Sequence, residues 1–290
     1  MMETEKEFEK EHYDDGDTAK LTMSFLSLLN KRVLITGASA GIGEAIALEF
    51  ARQGCHLMLC GRDKDRLAQV VVQCEKLAPS RGKKVCSTVG DITKDSVQRT
   101  LVKNTVTELG GIDILVNNAG VLATGDYTTS IEEYQRLMTT NLESVFFLTQ
   151  LIVPHLSKTK GNIVNISSIV ADRPSSNVMV YSVSKAALDS YTQALAMNLA
   201  PQGIRVNSVN PGTVVTRLYK RGENALGDEA YSKVIKAMSS PSVHPLGRVA
   251  LASEVADSVV FLASQRASFI TGQILFVDGG RHCLGPSPKL

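Results

Sequence analysis

Tyr181 and Lys185 lie four positions apart in the stretch Val180-Tyr-Ser-Val-Ser-Lys185. On a helix, residues at this spacing stack on one face. An ammonium group beside a phenol favours the phenolate, because an opposite charge stabilises the ionised form. Tyrosine ordinarily titrates near 10, so bringing one to about 7 takes about 4 kcal/mol of differential stabilisation. Such a pair could give and take a proton at neutral pH. By itself Y-x-x-x-K is a common surface pattern on helices, and its company decides its meaning.

A second segment, Val33-Leu-Ile-Thr-Gly-Ala-Ser-Ala-Gly-Ile-Gly43, begins with an apolar run that reads as a buried parallel strand. Gly37, Gly41 and Gly43 let the chain turn sharply and bring backbone N–H groups close to a phosphate. Gly43 to Arg52 then suits a helix with Ile42, Ile46 and Phe50 on its packing side. Strand, glycine turn and helix make a dinucleotide-binding unit, with pyrophosphate at the positive end of the helix. The spacing is T-G-x-x-x-G-x-G, not the commoner G-x-G-x-x-G. The same residues also match G-x-S-x-G, a hydrolase nucleophile elbow that would make Ser39 a nucleophile. That reading needs earlier strands for half of its oxyanion hole, and a polar segment precedes Val33. It would also have to recruit His244 or His282 without a supporting motif.

With these segments in order, the chain resembles the short-chain dehydrogenase/reductase family. It is similar to the group that holds 3-oxoacyl-carrier-protein reductases and many hydroxysteroid and carbonyl reductases. The resemblance runs from about Lys31 to Gly280 and rests on Thr36-Gly-Ala-Ser-Ala-Gly-Ile-Gly43, Asp91, Asn117-Asn-Ala-Gly120, Asn141, Ser168, Tyr181 with Lys185, and Pro211-Gly212. It implies an oxidoreductase interconverting a secondary alcohol and a carbonyl. Tyr181 would then be general acid in reduction and base in oxidation, with Lys185 depressing its pKa and holding the ribose hydroxyls. Ser168, thirteen positions before Tyr181, would hydrogen-bond the reacting carbonyl oxygen, and Ser167 would be structural. Asn141 would support a water linking Lys185 to solvent. The cofactor would be held by Thr36, Gly37, Ser39, Gly41, Ile42 and Gly43, by Asp91 and Ile92, and by Asn118, Ala119 and Gly120. Pro211, Gly212, Val214 and Thr216 would complete its nicotinamide end, together with Tyr181 and Lys185. Plainer roles are open for several of these: Asp91 as a helix cap, and Asn117 and Asn118 as turn formers. No metal is implied.

The end of the second strand bears on which nicotinamide is used. An acid there would bond the ribose 2′-hydroxyl of NAD, whereas an arginine would receive the 2′-phosphate of NADP. Gly61-Arg62-Asp63 occupies this place, so Arg62 favours NADP(H). NAD(H) stays open because Asp63 is near, although it could instead cap the next helix.

Strand-like and helix-like stretches alternate through the chain, which predicts an α/β fold. The expected architecture is a Rossmann-like, doubly wound parallel sheet of about seven strands with helices on both faces. Strands are expected at Val33–Thr36, His56–Cys60, Val85–Val89, Ile114–Asn117, Asn162–Ile166, Arg205–Val209 and Ile274–Val277. Helices include Tyr134–Leu156 and Val180–Ala200. The 290 residues suffice for one large core. One dehydrogenase domain over 23–290 is expected, with a substrate lid around 213–246. In that lid Arg217, Lys220 and Arg221 read as a solvated face. Residues 1–22 hold eight acids and three lysines and read as a flexible acidic extension.

A net charge of +2 points to neither nucleic-acid nor membrane binding, and no apolar run reaches a transmembrane length. The five cysteines, Cys55, Cys60, Cys74, Cys86 and Cys283, show neither C-x-x-C nor zinc spacing. They read as reduced thiols of a cytoplasmic protein. The terminal Pro288-Lys-Leu290 is one residue away from a peroxisomal signal. The expected partner is a small carbonyl or alcohol substrate, with Leu122, Ile169 and Val170 lining its pocket. The resemblance adds a homotetramer or homodimer. A dinucleotide-binding regulatory protein without turnover is the alternative that the motifs alone leave standing.

Overall fold

The structure is a computed structural model that describes residues 26–79, 82–216 and 227–285. Its strands are β1 (Arg32–Thr36), β2 (His56–Gly61), β3 (Val85–Val89), β4 (Ile114–Asn117), β5 (Asn162–Ile166), β6 (Arg205–Pro211) and β7 (Ile274–Val277). They form one sheet in the order β3-β2-β1-β4-β5-β6-β7, and every pairing is parallel. Successive residues of a strand point to opposite faces. Hence Val33, Ile35, Leu57, Leu59, Ile114 and Val116 join one apolar cluster, while Leu34, Met58 and Leu115 join another. A strand apolar at every position therefore implies cover on both sides.

That cover is provided by helices. On the first face lie α1 (Ile42–Arg52), α2 (Lys64–Leu77) and, late in the chain, α8 (Ala252–Ala263). Ile46 and Phe50 of α1 and Val255 and Val259 of α8 are fully buried there. On the second face lie α3 (Asp95–Leu109), α5 (Ser144–Thr159) and α6 (Met179–Leu199), contributing Leu101, Leu148, Ile152 and Ala196. Burying each large apolar side chain contributes about 1.5–3 kcal/mol. Two further helices are α4 (Ile131–Met138) and α7 (Asp228–Met238).

The seven expected strands are all present, and β1, β2 and β6 are slightly longer than predicted. The expected continuous helix over Tyr134–Leu156 differs in one respect. A π-helical turn, Thr139–Glu143, separates α4 from α5. Strand order reverses between β1 and β4, and at such a switch point the loops beyond the strands diverge and open a crevice. Tyr181, the glycine turn and Asn118 all lie at this end of the sheet. Residues 1–22 of the expected extension and residues 217–226 of the expected lid lie outside the described residues, as do the last five residues. Among the described residues, no helix is long and apolar enough to cross a membrane.

Candidate active site

The turn after β1 is held by contacts that tolerate no side chain. Gly37 and Gly41 have φ of +66°, a region that favours glycine. A Cβ on Gly43 would lie 2.3 Å from the Gly37 carbonyl oxygen and 2.4 Å from Asn118 Nδ2. This packing leaves α1 starting directly behind the turn, with its unpaired N–H groups available to a pyrophosphate. Replacing Gly43 with alanine is expected to cost about 1–3 kcal/mol of stability through overpacking. It is also expected to weaken dinucleotide binding, because the Gly37 backbone must move. Thermal melting and a cofactor fluorescence titration check the two effects.

Asn118 clamps this turn from β4. Its Nδ2 donates to the carbonyls of Thr36 and Gly37 at 3.0 and 3.1 Å. Thr36 Oγ1 in turn accepts from the backbone N–H groups of Asn118 and Ala119, both at 3.0 Å. Thr36 is thus spent on joining the ends of β1 and β4. Asn117 Nδ2 donates to Asn165 Oδ1 at 2.9 Å, and Asn165 Nδ2 donates to Thr192 Oγ1 at 2.8 Å. These buried amides are satisfied from strand to strand and on to α6, as burial requires. The Asn117-Asn118 pair therefore braces the sheet, while the following Ala119 and Gly120 border the crevice.

On α6 the Tyr181 and Lys185 side chains do meet. Lys185 Nζ lies 5.8 Å from the centre of the Tyr181 ring. Both residues are buried and both line the crevice with Gly37, Gly41, Ile42, Ala119, Gly120 and Thr216. Lys185 Nζ donates to the Ile166 carbonyl at the end of β5 at 2.8 Å. Burial disfavours its charged form and lowers its pKa to about 8, although Asp189 opposes that fall. Asp189 is held by Asn210 Nδ2 at 2.6 Å and Ser208 Oγ at 3.2 Å, and its own carboxyl is pushed up by burial.

Asn141 sits fully buried in the π turn. Its Oδ1 accepts from Val121 N–H at 2.8 Å, and its Nδ2 donates to the Val121 carbonyl and Ser184 Oγ at 3.0 and 3.1 Å. A Cβ on Gly120 would be 3.4 Å from Asn141 Oδ1 and 3.6 Å from Lys185 Nζ, so the three converge. With its Oδ1 and both Nδ2 hydrogens engaged, the Asn141 side chain ties the segment after β4 to α6. Ser168 begins the short 3-10 turn Ile169–Ala171, and its Oγ accepts weakly from Val170 N–H at 3.4 Å. Ser167, expected to be structural, is buried and donates to the Lys185 carbonyl at 3.2 Å, yet of the two serines it is Ser167 that borders the crevice. Ile169 and Val170 join Tyr181 in a small apolar cluster with Ala123 and Leu137, against which Leu122 packs.

The crevice continues into a second cavity of about 470 Å³ that shares Gly37, Ala119, Gly120 and Val121 with the first. Ser39, Gly61, Arg62, Asp91 and Ile92 line it. Asp63 also lines it, with its carboxylate capping α2 by accepting from Arg66 N–H at 3.1 Å and pairing with the Arg66 guanidinium. Asp91 does not cap α3. Its Oδ1 accepts from Thr93 N–H and Oγ1, and the cap position of α3 is Lys94. Pro211 ends β6, Gly212 packs against His244 and Asp278, and Val214 is buried in the core beside Ala250. Of that group Thr216 lines the crevice. Arg66 and Thr140, to which the sequence motifs give no role, also border the second cavity. Arg66 lies in the first turn of α2, four positions after Arg62, a spacing the sequence displays, whereas nothing local marks Thr140.

The hydrolase reading finds no base. His244 accepts from Thr213 N–H at 3.1 Å through Nε2 and its Nδ1 lies 2.7 Å from the Met238 carbonyl, so both ring nitrogens are engaged. His282 is held by Asp278 beyond β7 and lines a different cavity from Ser39.

A glycine turn between strand and helix, two adjoining cavities at the switch point, and a buried tyrosine–lysine pair are the features of a dinucleotide-dependent oxidoreductase. The sequence model of the family described as enoyl-(acyl carrier protein) reductase matches residues 37–282. L-fucose dehydrogenase of Rattus norvegicus is 36% identical over 252 residues, covering 86% of this chain and 88% of its own. A short-chain dehydrogenase/reductase of unknown function from Caenorhabditis elegans, solved with cofactor, superimposes with a TM-score of 0.85 at 36% identity. That match covers 90% of this chain and 98% of the other. L-sorbose reductase from Gluconobacter frateurii, complexed with NADPH and L-sorbose, superimposes with a TM-score of 0.79 at 30% identity, covering 89% and 98%. The chain belongs to the short-chain dehydrogenase/reductase family. It is an NAD(P)-dependent oxidoreductase acting between alcohols and carbonyls.

Proposed function

We propose that this protein reduces a ketone to a secondary alcohol, and runs the reverse reaction, with NADP(H) as cofactor and Tyr181 as general acid and base. The observation that carries the reading is the Lys185 ammonium beside the Tyr181 ring in the crevice that contains the glycine turn. The glycine cradle fits a pyrophosphate, since a Cβ at Gly43 would collide with the turn backbone. Bound there, the nicotinamide supplies the hydride in reduction and accepts it in oxidation. Tyr181 passes its hydroxyl proton to the carbonyl oxygen, and Ser168 Oγ donates a hydrogen bond to that same oxygen. Lys185 holds the ribose hydroxyls and keeps a positive charge beside the phenol, which favours the phenolate left after transfer. Asn141 fixes the Val121 backbone and, through its main chain, supports a water that returns the proton. Ile169, Val170 and Leu122 present an apolar wall to the substrate carbon skeleton.

The preference for NADP rests on Arg62, which lines the adenosine end with Asp63 and Arg66, and on the commitment of the Asp63 carboxylate to the α2 cap and to Arg66. Gly61 offers no carboxylate there. A hydrogen bond to a charged group contributes about 1.5–3 kcal/mol, which is about 10–100-fold in affinity. The double variant Gly61→Asp with Arg62→Ile is therefore expected to shift the NADP-to-NAD ratio of kcat/KM by at least about tenfold towards NAD. Ser39 must give by a few tenths of an ångström, because a Cβ on Gly61 lies 3.1 Å from its Oγ. An unchanged ratio would remove Arg62 from cofactor choice.

Residues 213–246 are read as the cover of the substrate, supported by the Tyr231 hydroxyl of α7 donating to the Thr216 carbonyl at 3.0 Å. A homotetramer or homodimer is supported by apolar side chains left exposed on α5 and α6, among them Phe146, Phe147, Val183 and Met197. The testing experiment is cofactor oxidation against a carbonyl panel that includes L-sorbose, a 3-oxoacyl thioester and a ketosteroid, with L-fucose for the reverse direction. Turnover of at least one compound, faster with NADPH than NADH, supports the reading. Tight dinucleotide binding with no turnover on any of them overturns it.

A further inference from the structure

Outside the crevice, the short turn after β7 brings a thiol, an imidazole and a carboxylate into one line. Asp278 is buried, with its side chain 2% exposed. Its carboxylate accepts from the N–H groups of Gly280 at 3.0 Å and His282 at 2.6 Å. It also lies 3.0 Å from His282 Nδ1. A carboxylate in this position accepts, so the imidazole carries its proton on Nδ1 and turns the Nε2 lone pair outward. Cys283 Sγ lies 3.2 Å from that Nε2. The Phe276 ring stacks on the imidazole with centroids 4.5 Å apart, which fixes its plane. The cavity beside it shares no lining residue with the two cavities of the dinucleotide crevice.

We propose that Cys283, His282 and Asp278 form a reactive-thiol site that undergoes exchange with small disulfides. Nucleophile, base and orienting acid are in the relation that activates a cysteine elsewhere. The other four cysteines lack it. Burial pushes the thiols of Cys55, Cys60 and Cys74 up to about 12, and Cys86 is also raised by burial. Cys283 is the exposed thiol of the five. In the exchange, His282 Nε2 takes the thiol proton as Sγ attacks one sulfur of the disulfide. The new Sγ–S bond forms, the old S–S bond breaks, and the departing thiolate recovers the proton from His282. One mixed disulfide and one free small thiol result, with no other oxidant needed.

The test uses the full chain, fully reduced, with oxidised glutathione as the probe at pH 7. A short peptide of sequence Gly-Gly-Arg-His-Cys-Leu-Gly, copied from residues 279–285, is the control. It keeps the histidine next to the cysteine but lacks Asp278 and the fixed geometry. Intact mass and peptide mapping are expected to find one glutathione on Cys283. It should form at least about tenfold faster than on the peptide, a modest general-base contribution. His282→Gln is expected to bring the protein down to the peptide rate. A protein rate no higher than the peptide's, or first modification at another cysteine, overturns the proposal. Should the His282→Gln chain fail to fold by circular dichroism, the wild-type comparison with the peptide decides alone.

Discussion

Replacing Tyr181 with phenylalanine is expected to lower kcat by about 10²–10⁴-fold, the usual worth of a positioned general acid. Dinucleotide affinity should be nearly unchanged. The phenol ring lies against Ile169, Val170 and Leu137 in a small apolar cluster, and phenylalanine preserves that packing. What is lost is the hydroxyl to which the proposed mechanism gives proton exchange with the substrate oxygen. The glycine turn, Asn118 and the second cavity, which would bind the dinucleotide, are untouched. Steady-state kinetics with the best substrate of the panel and a fluorescence titration with NADPH separate these effects. A variant that keeps more than about a tenth of wild-type kcat would relieve Tyr181 of its role.

Lys185→Met should yield an inactive and more stable protein. Burial lowers the Lys185 pKa from 10.5 to about 8, which corresponds to about 3 kcal/mol of penalty at neutral pH. An unfolded lysine keeps its proton up to about 10.5, whereas the folded one releases it near 8. Between those values the unfolded state binds more protons, so this group makes stability rise with pH. Below 8 the whole penalty is present, and an apolar side chain of similar length removes it. The lost hydrogen bond to the Ile166 carbonyl offsets about 1 kcal/mol. A net gain of about 1–2 kcal/mol remains, or a few degrees in Tm. Turnover, by contrast, should fall with the charge beside the phenol and with the proposed anchor for the ribose. In the wild-type enzyme, reduction should slow as pH rises through about 8 and that charge disappears. A variant that melts lower than wild type, or that keeps full activity, contradicts this account.

Both expectations describe one trade. Burying a cation beside Tyr181 costs stability, and the fold bears that cost through cores on both faces of the sheet and through the chain of satisfied amides Asn117, Asn165 and Thr192. A positive field in a dry crevice acts more strongly than the same charge in water, which is the physical return for the expense.

Local periodicity made much of this legible in the chain itself. Val33-Leu-Ile35 is apolar at each step because both faces of its strand are covered, and that pattern marks a parallel sheet wherever it recurs. The meeting of Tyr181 with Lys185 follows from spacing along a single helix, and the turn at Gly37 and Gly41 from the conformations glycine alone adopts freely. Contacts between distant segments could not be read the same way. The clamp of Asn118 on the Gly37 carbonyl exists because β1 and β4 are neighbours across 81 positions of sequence. The π turn around Asn141 forms because its side chain is drawn to Val121 and Ser184, so helix propensity signalled something unusual there without giving its geometry. That Asp63 both borders the second cavity and holds the backbone N–H and guanidinium of Arg66 likewise appears only once the chain is folded. The sequence thus determined the elements and the chemistry within each, since those depend on residues a few steps apart. Tertiary structure decided which side chains are spent on holding the crevice and which remain free to face a ligand, because burial leaves each polar group the partners that neighbouring strands supply.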